Sequence, residues 1–173
     1  MAIPTLKTAH LTLRPLHMAD AETLCRIYQT DGVLRYFPNP TPPPLEKVQR
    51  FIANQQAHWE QYGHGNWGVV PEQATEIAGW AGLQFLPETG EIEVGFLLDR
   101  PNWGKGYATE AGRASLAFAF GEVAVERVIA LVHPDNRASQ RVIEKCGLTL
   151  VDQRVYFGMN LLRYRIERPA DSE

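Results

Sequence analysis

The sequence contains little cysteine, no long hydrophobic run and no excess of positive charge. Its two cysteines, Cys25 and Cys146, lie far apart and lack metal-ligand spacing, which argues against a disulfide scaffold or a cysteine-based metal site. No apolar stretch reaches the length of a bilayer span, and no signal peptide opens the chain. With 17 basic and 20 acidic residues, the chain lacks the basic surface that binds nucleic acids or anionic membranes. We therefore expect a soluble cytoplasmic protein with free thiols and without a metal, nucleic-acid or membrane partner.

The composition is that of a globular protein. Of its 173 residues, 45% are apolar and 21% are charged, which is enough to build one domain with a buried core. We expect this domain to cover residues 1–168 and the tail, residues 169–173, to be frayed.

Hydrophobic periodicity predicts a mixed α/β protein with one sheet. The order is strand, two helices, three strands, helix, strand, helix, two strands. Asp20 and Asn136 are candidate helix caps, and Gly95 inside a strand indicates a bulge or a close backbone approach. The predicted strands are residues 6–16, 67–71, 76–85, 91–98, 127–133, 150–157 and 160–167, and the predicted helices are residues 21–30, 45–62, 107 onward and 137–146.

The most informative stretch is residues 91–112, where a strand leads through a glycine turn into a helix. Such a turn presents unpaired amide N–H groups and the positive end of a helix dipole, which together favour an anion such as phosphate. The P-loop pattern fails because Asp99 replaces its first glycine, and the dinucleotide pattern fails because Thr109 replaces its third. A tight connection without a ligand remains the alternative.

Two motifs resemble those of the GNAT acetyltransferases. Residues 103–108, WGKGYA, resemble the family's acyl-CoA pyrophosphate loop, R/Q-x-x-G-x-G/A, with Trp103 in place of Arg or Gln. Residues 136–148 resemble its second signature, N-x-x-S-x-x-x-x-E-K-x-G-F, with Leu148 in place of Phe. Trp103 is typical of the branch that includes the ribosomal-protein N-terminal (alanine/serine) acetyltransferases.

The resemblance implies a single α+β domain whose mixed, mostly antiparallel sheet splays at its middle and carries helices on both faces. It implies an N-acetyltransferase that moves the acetyl group of acetyl-CoA to a primary amine, by direct transfer in a ternary complex without a metal. The acceptor is a protein N-terminus or a small molecule, and the enzyme is a monomer or a homodimer. An acyl-CoA-binding or regulatory module with weak or no turnover is the alternative.

The resemblance also assigns binding residues. Backbone amides of the central strand would hold the pantetheine arm and the acetyl oxygen, the glycine turn would hold the pyrophosphate, and Asn136 would contact the pantetheine amides. Arg137, Arg141 and Lys145 form a basic stripe that either faces a phosphate of CoA or is simply solvated. The implied acetyl-CoA-binding residues are Val94, Phe96, Leu97, Leu98, Trp103, Gly104, Lys105, Gly106, Tyr107, Ala108, Thr109, Asn136, Ser139 and Arg141.

Glu93 and Ser139 are the candidate catalytic residues. A substrate ammonium must lose a proton before it attacks a thioester, and Glu93 would accept that proton directly or through water. Ser139 would lie near the departing sulfur. As alternatives, Glu93 is a solvated strand residue and Ser139 a first-turn polar residue. Many family members carry a tyrosine acid where this chain has Ile143, and Tyr156 is a substitute that the sequence does not establish.

The amine acceptor is not specified by the sequence. A proline-rich segment, residues 36–44, is implied to cover the acceptor pocket, although a plain surface connector is an equal interpretation. An enclosed pocket lined by Tyr36, Phe37, Trp67 or Trp80 would suit a small amine, whereas an open groove would suit a peptide.

Overall fold

The computed structural model describes residues 2–170. Eight strands form one sheet in the order β1-β2-β3-β4-β5-β6-β8-β7. The strands are β1 Leu6–Lys7, β2 Leu11–Arg14, β3 Asn66–Pro71, β4 Gly79–Leu86, β5 Glu91–Leu98, β6 Arg127–Val132, β7 Thr149–Tyr156 and β8 Met159–Glu167. The α-helices are α1 Ala21–Gln29, α2 Leu45–Tyr62, α3 Tyr107–Phe118 and α4 Arg137–Lys145, with a π-helical turn, Ala119–Val123, extending α3.

The sheet is antiparallel except at its centre. There, β5 and β6 run parallel and share one register pair, Glu93 with Ile129. Beyond this pair the two strands separate, while β5 stays paired with β4 as far as Leu98. The predicted mixed sheet with a splayed middle is therefore confirmed, and the gap lies between the C-terminal halves of β5 and β6.

Helices cover both faces of the sheet, as predicted. On one face, α1 and α2 bury Leu24, Val48 and Ile52 in a cluster that includes Trp80 of β4. On the other face, α3 and α4 bury side chains such as Leu116 and Ile143 against β5, β6 and β8. The C-terminal part of α2 contributes Trp59 to a third cluster, and its indole N–H donates to the Asn66 carbonyl at 3.2 Å.

Two details at the N-terminal end of the chain differ from the sequence predictions. Residues 6–16 form a hairpin, β1 and β2, because Thr8 and Leu11 exchange hydrogen bonds that turn the chain between them. The Glu110 carboxylate reinforces the turn by accepting from the backbone N–H of His10 at 2.6 Å. Helix α1 does begin after Asp20, but the Asp20 carboxylate does not cap it: both its oxygens accept from the Arg14 guanidinium at 2.8 Å.

The remaining elements lie close to their predicted positions. Helix α2 has the predicted bounds and ends at Gly63, which has a φ of +71°. Asn136 caps α4, since its Oδ1 accepts from the Ser139 N–H at 3.2 Å. Cys25 and Cys146 are free thiols. Within the described residues no helix is long and apolar enough to cross a membrane. The domain limits stay a prediction, and residues 171–173 of the predicted tail lie outside the described residues.

Trp59→Ala should lower the free energy of unfolding by about 3–5 kcal/mol, because it removes a fully buried ring and leaves the Asn66 carbonyl without its donor. Urea unfolding measures this change. Val155→Ala is the control: its side chain is 72% exposed, so the change should stay within about 0.5 kcal/mol. A loss below about 1 kcal/mol for Trp59→Ala would contradict the proposed packing.

Candidate active site

The turn between β5 and α3 presents backbone N–H groups at the start of a helix. Gly104 and Gly106 have φ values of +74° and +80°, a region that side-chain-bearing residues rarely adopt. Gly106 is the residue that precedes α3, and no side chain caps this helix. The first N–H groups of α3 are therefore without intrahelical partners and point out of its N-terminus. A Cβ at either glycine would meet no atom within 4 Å, so the space in front of the turn is open.

This turn forms one wall of a cavity of about 1120 Å³ that lies between the C-terminal end of β5 and the loop that follows β6. The second wall is the start of α4, and the third is the end of α1 with the segment that follows it, within residues 28–42. The Tyr36 ring from this segment lies 5.2 Å from the His133 ring at the end of β6. Charged side chains in the lining favour an anionic ligand, because the cations outnumber the anions. The cations are Arg35, Arg100, Arg137, Arg141 and Lys145, and the anions are Asp31 and Asp135.

The cavity brings together most of the residues that the sequence proposed for acetyl-CoA. The lining contains Phe96, Leu97, Leu98, Trp103, Gly104, Gly106, Tyr107, Ala108, Thr109, Asn136, Ser139 and Arg141. Glu93, Val94 and Lys105 are not in this lining. The Val94 side chain packs in the core, and the Lys105 ammonium lies 5.9 Å from the centre of the Tyr107 ring. Their binding roles, like those of the lining residues, stay a prediction.

Glu93 lies at the last pair that β5 and β6 share before they separate. Ile92 and Val94 face α3, so alternation along the strand places Glu93 on the opposite face, with Gly95 and Leu97. Burial raises the pKa of Glu93 to about 8, and the nearby Glu91 carboxylate adds to the shift. A carboxyl group with this pKa takes up and releases a proton close to neutral pH, as a general base requires.

A polar network that sequence reasoning missed surrounds Glu91. Its two carboxylate oxygens accept from the Tyr156 hydroxyl and from Nη1 of Arg163, each at 2.7 Å. Arg163, itself buried, also donates two hydrogen bonds of 2.8 Å to Asp152. The Tyr156 hydroxyl is thus engaged with Glu91, and burial together with that carboxylate raises the pKa of Tyr156. The sequence contains one indication of this network: Glu91 is two residues from Glu93 on the same strand, so the two side chains lie on the same face.

Ser139 and Ile143 are one turn apart on α4 but differ in burial. Ser139 is half-buried and lines the cavity, whereas the Ile143 side chain is 4% exposed and packs in the core beside Tyr164. This chain therefore offers no acid from the position where many family members carry a tyrosine. All three residues of the basic stripe of α4 line the cavity: Arg137, Arg141 and Lys145.

Trp103 connects two walls of the cavity, a role that the sequence did not reveal. Its indole N–H donates to the Leu98 carbonyl at 2.8 Å, which fixes the turn to the end of β5. The far edge of its ring lies beside Gly32, 3.7 Å from where a Cβ would stand. Arg100 and Asp31 form an ion pair of 3.3 Å between the same two segments.

One sequence interpretation is wrong at this site, and one of the two alternatives for Gly95, the bulge, is excluded. Trp67 does not line the cavity: it is fully buried against Trp59, and its indole N–H donates to the Pro4 carbonyl at 2.8 Å. Gly95 does not form a bulge, since the β4–β5 register runs unbroken through its pair with Gly82. Instead the Trp80 ring lies over Gly95, 3.6 Å from where a Cβ would stand.

Comparison with known proteins identifies the family. The model of the acetyltransferase (GNAT) domain matches residues 10–149, so the chain belongs to the GNAT acetyltransferases. The uncharacterized N-acetyltransferase p20 of Bacillus licheniformis is 30% identical over 141 residues, which cover 80% of this chain and 79% of that protein. An acetyltransferase from Agrobacterium tumefaciens str. C58 superposes with a TM-score of 0.83 at 31% identity, covering 96% of each chain.

The ribosomal-protein branch is also present among the structural neighbours. RimL, the ribosomal L7/L12 alpha-N-protein acetyltransferase, was solved in complex with coenzyme A and superposes with a TM-score of 0.80. The match covers 95% of this chain and 98% of RimL. At 16% identity this likeness concerns the fold alone. The family resemblance inferred from the two motifs is confirmed, and the protein is an N-acetyltransferase.

Replacing Glu93 by Gln should change how stability depends on pH. The folded protein retains this proton up to a pKa of about 8, whereas the unfolded chain loses it near 4.5. The contribution of Glu93 to stability is therefore complete below pH 4.5 and is lost as the pH rises toward 8. Between these two pH values, the free energy of unfolding of wild type should fall relative to that of Glu93→Gln by up to about 1.4 kcal/mol per pH unit.

Urea unfolding of wild type and variant at several pH values between the two pKa values measures this difference. Glu88→Gln is the control, because Glu88 is exposed in the turn before β5. Parallel stability curves for wild type and Glu93→Gln would show that the pKa of Glu93 is not raised.

Proposed function

We propose that the protein transfers the acetyl group of acetyl-CoA directly to a primary amine, with both substrates bound at the gap between β5 and β6. The observation that carries this proposal is that Glu93 lies where β5 and β6 are last paired, on the same strand whose C-terminal residues, Phe96 to Leu98, line a cavity with an anion-binding turn. The cationic lining suits the phosphates of CoA, and the gap suits its extended pantetheine arm.

The gap supplies backbone groups for the pantetheine arm and the acetyl oxygen. Beyond Glu93, one edge of β5 is paired with β4, while its other edge faces the gap and lacks a strand partner. Backbone N–H and C=O groups that are left in this way need partners, and the amides of pantetheine provide them. An N–H donor on this edge would stabilise the negative charge that develops on the thioester oxygen.

In the proposed reaction a neutral amine attacks the thioester carbon. A C–N bond forms, the C–S bond breaks, and the proton released by the amine passes to Glu93 directly or through water. The hydroxyl of Ser139 would donate a hydrogen bond to the departing thiolate. With Ile143 in the core and Tyr156 engaged by Glu91, these residues offer no stronger acid from α4 or β7.

Release of free CoA thiol, measured with a panel of small amines and N-terminal peptides, tests this proposal. Glu93→Gln should lower kcat by about 10²- to 10⁴-fold, since a carboxamide cannot accept the proton. Its affinity for acetyl-CoA should remain that of wild type, and Glu88→Gln should keep full activity. Binding of acetyl-CoA without turnover of any acceptor would instead favour an acyl-CoA-binding module.

Arg141→Ala tests the orientation of the CoA phosphates along the basic face of α4. It should weaken acetyl-CoA binding by about tenfold at low salt and by less as salt is added. Affinity for acetyl-pantetheine, which lacks the phosphates, should not change; calorimetry measures both. Arg127→Ala removes a cation paired with Glu167 outside the cavity and serves as the control. Equal losses for both ligands would contradict the assignment of the phosphates to α4.

A further inference from the structure

A second cavity of about 480 Å³ adjoins the first. It lies under the proline-rich segment between α1 and α2 and is bounded by both helices and by β4. Four residues line both cavities, and they make the boundary between the two spaces: Tyr28, Leu34, Phe37 and Pro42. The two cavities therefore share a wall, and we call the second cavity the side chamber.

Aromatic rings form the walls of this side chamber. The Trp80 ring is 6.5 Å from the Phe37 ring in an edge-to-face arrangement, at 81°, and 5.9 Å from the Phe51 ring. Trp80, Phe37 and Phe51 are each half-buried, so part of each ring surface remains free. Walls of this kind fit a planar aromatic guest, which can stack on one ring and meet another at its edge.

Tyr28 contributes a hydroxyl group to the lining of the side chamber. The Trp80 indole N–H donates to the Tyr28 hydroxyl oxygen at 3.0 Å, which leaves the hydroxyl proton of Tyr28 free to donate. Burial raises the pKa of Tyr28 to about 12, so the hydroxyl stays neutral and keeps that proton. The side chamber thus offers one hydrogen-bond donor to an aromatic guest that carries an acceptor atom.

The charge of the lining selects against a cationic guest. Apart from Tyr28, Lys47 is the ionisable residue of the lining, and no carboxylate belongs to it. A second ammonium group would therefore meet a like charge and no counter-ion. The lining fits an uncharged group, which distinguishes it from a site for polyamines.

Trp80 connects the side chamber to β5, the strand that carries Glu93, although Glu93 lines neither cavity. Trp80 covers Gly95, and Gly95 is two residues from Glu93 on the same face of β5. Two residues of a strand span roughly 7 Å. The part of the Trp80 ring that covers Gly95 thus lies roughly 7 Å along β5 from Glu93, and this separation sets the spacer between a ring placed there and an amine at Glu93.

From this geometry we infer that the amine acceptor is a small primary amine that carries an uncharged aromatic ring on a short spacer, with the ring seated in the side chamber. The inference rests on the proposed acetyl transfer and specifies its second substrate. Phe51 is the specificity-determining residue that can be altered with least damage, since it is half-buried on α2 and does not belong to the candidate catalytic machinery.

The test compares 2-phenylethylamine with n-butylamine as acceptors, using CoA thiol release at saturating acetyl-CoA. Wild type should prefer the aromatic amine in kcat/KM by at least about tenfold. Phe51→Ala should remove most of this preference by lowering kcat/KM for the aromatic amine while leaving that for n-butylamine unchanged. Tyr62→Ala is the matched control: Tyr62 is a half-buried aromatic residue on the same helix that stacks on Phe85, 4.6 Å away. It should keep the preference.

A binding measurement separates failure of this inference from failure of the proposed reaction. Calorimetry with 2-phenylethylamine, on the CoA-bound protein, should detect binding that Phe51→Ala weakens and Tyr62→Ala does not. Binding with this pattern but without turnover of any amine would support the side chamber and count against acetyl transfer. Turnover of spermidine or of an alanine-initiated peptide in preference to 2-phenylethylamine would support acetyl transfer and overturn the inference.

Discussion

The single register pair between Glu93 and Ile129 is the constraint on which the rest of the site depends. It joins two halves of the sheet that are otherwise antiparallel, and it allows them to separate immediately beyond it. That separation leaves one edge of β5 unpaired inside the protein, a state that is costly unless another molecule supplies hydrogen bonds. The gap, the cavity and the position of the candidate base all follow from this local change in strand pairing.

The two sides of this separation have different electrostatic environments. On the cavity side, the helix terminus and the arginines of α4 create a field that favours phosphate. On the side of Glu93, burial and a second carboxylate favour the protonated form of an acid. Arg163 keeps Glu91 ionised, because against the effect of burial it joins Tyr156 in donating a hydrogen bond to the Glu91 carboxylate and lowers its pKa. The chain thus carries, on one strand, a carboxyl group with a pKa of about 8 and residues that line a mainly cationic pocket.

Local patterns in the sequence were sufficient for much of the fold and for the turn that opens α3. The bounds of α2 follow from its periodicity and from Gly63, and the cap of α4 follows from Asn136. Contacts between distant residues were beyond such reasoning. The pattern of residues 6–16 resembles one strand, and only the hydrogen bonds of Thr8 and Glu110 show a hairpin. Trp67 looked like a pocket residue because composition does not show which face of a strand is buried, and the network of Arg163 joins residues from three strands.

Trp103 gives the two loops of the active site a common point of support. Its indole donates a hydrogen bond to the end of β5 and lies against Gly32, so the turn that would carry the cosubstrate is in contact with the segment that would cover the acceptor. Ordering one loop then lowers the entropy cost of ordering the other. If each substrate of the proposed reaction orders one of these loops, thermodynamic linkage makes the two strengthen each other's binding by the same factor, with Trp103 as the contact between the loops.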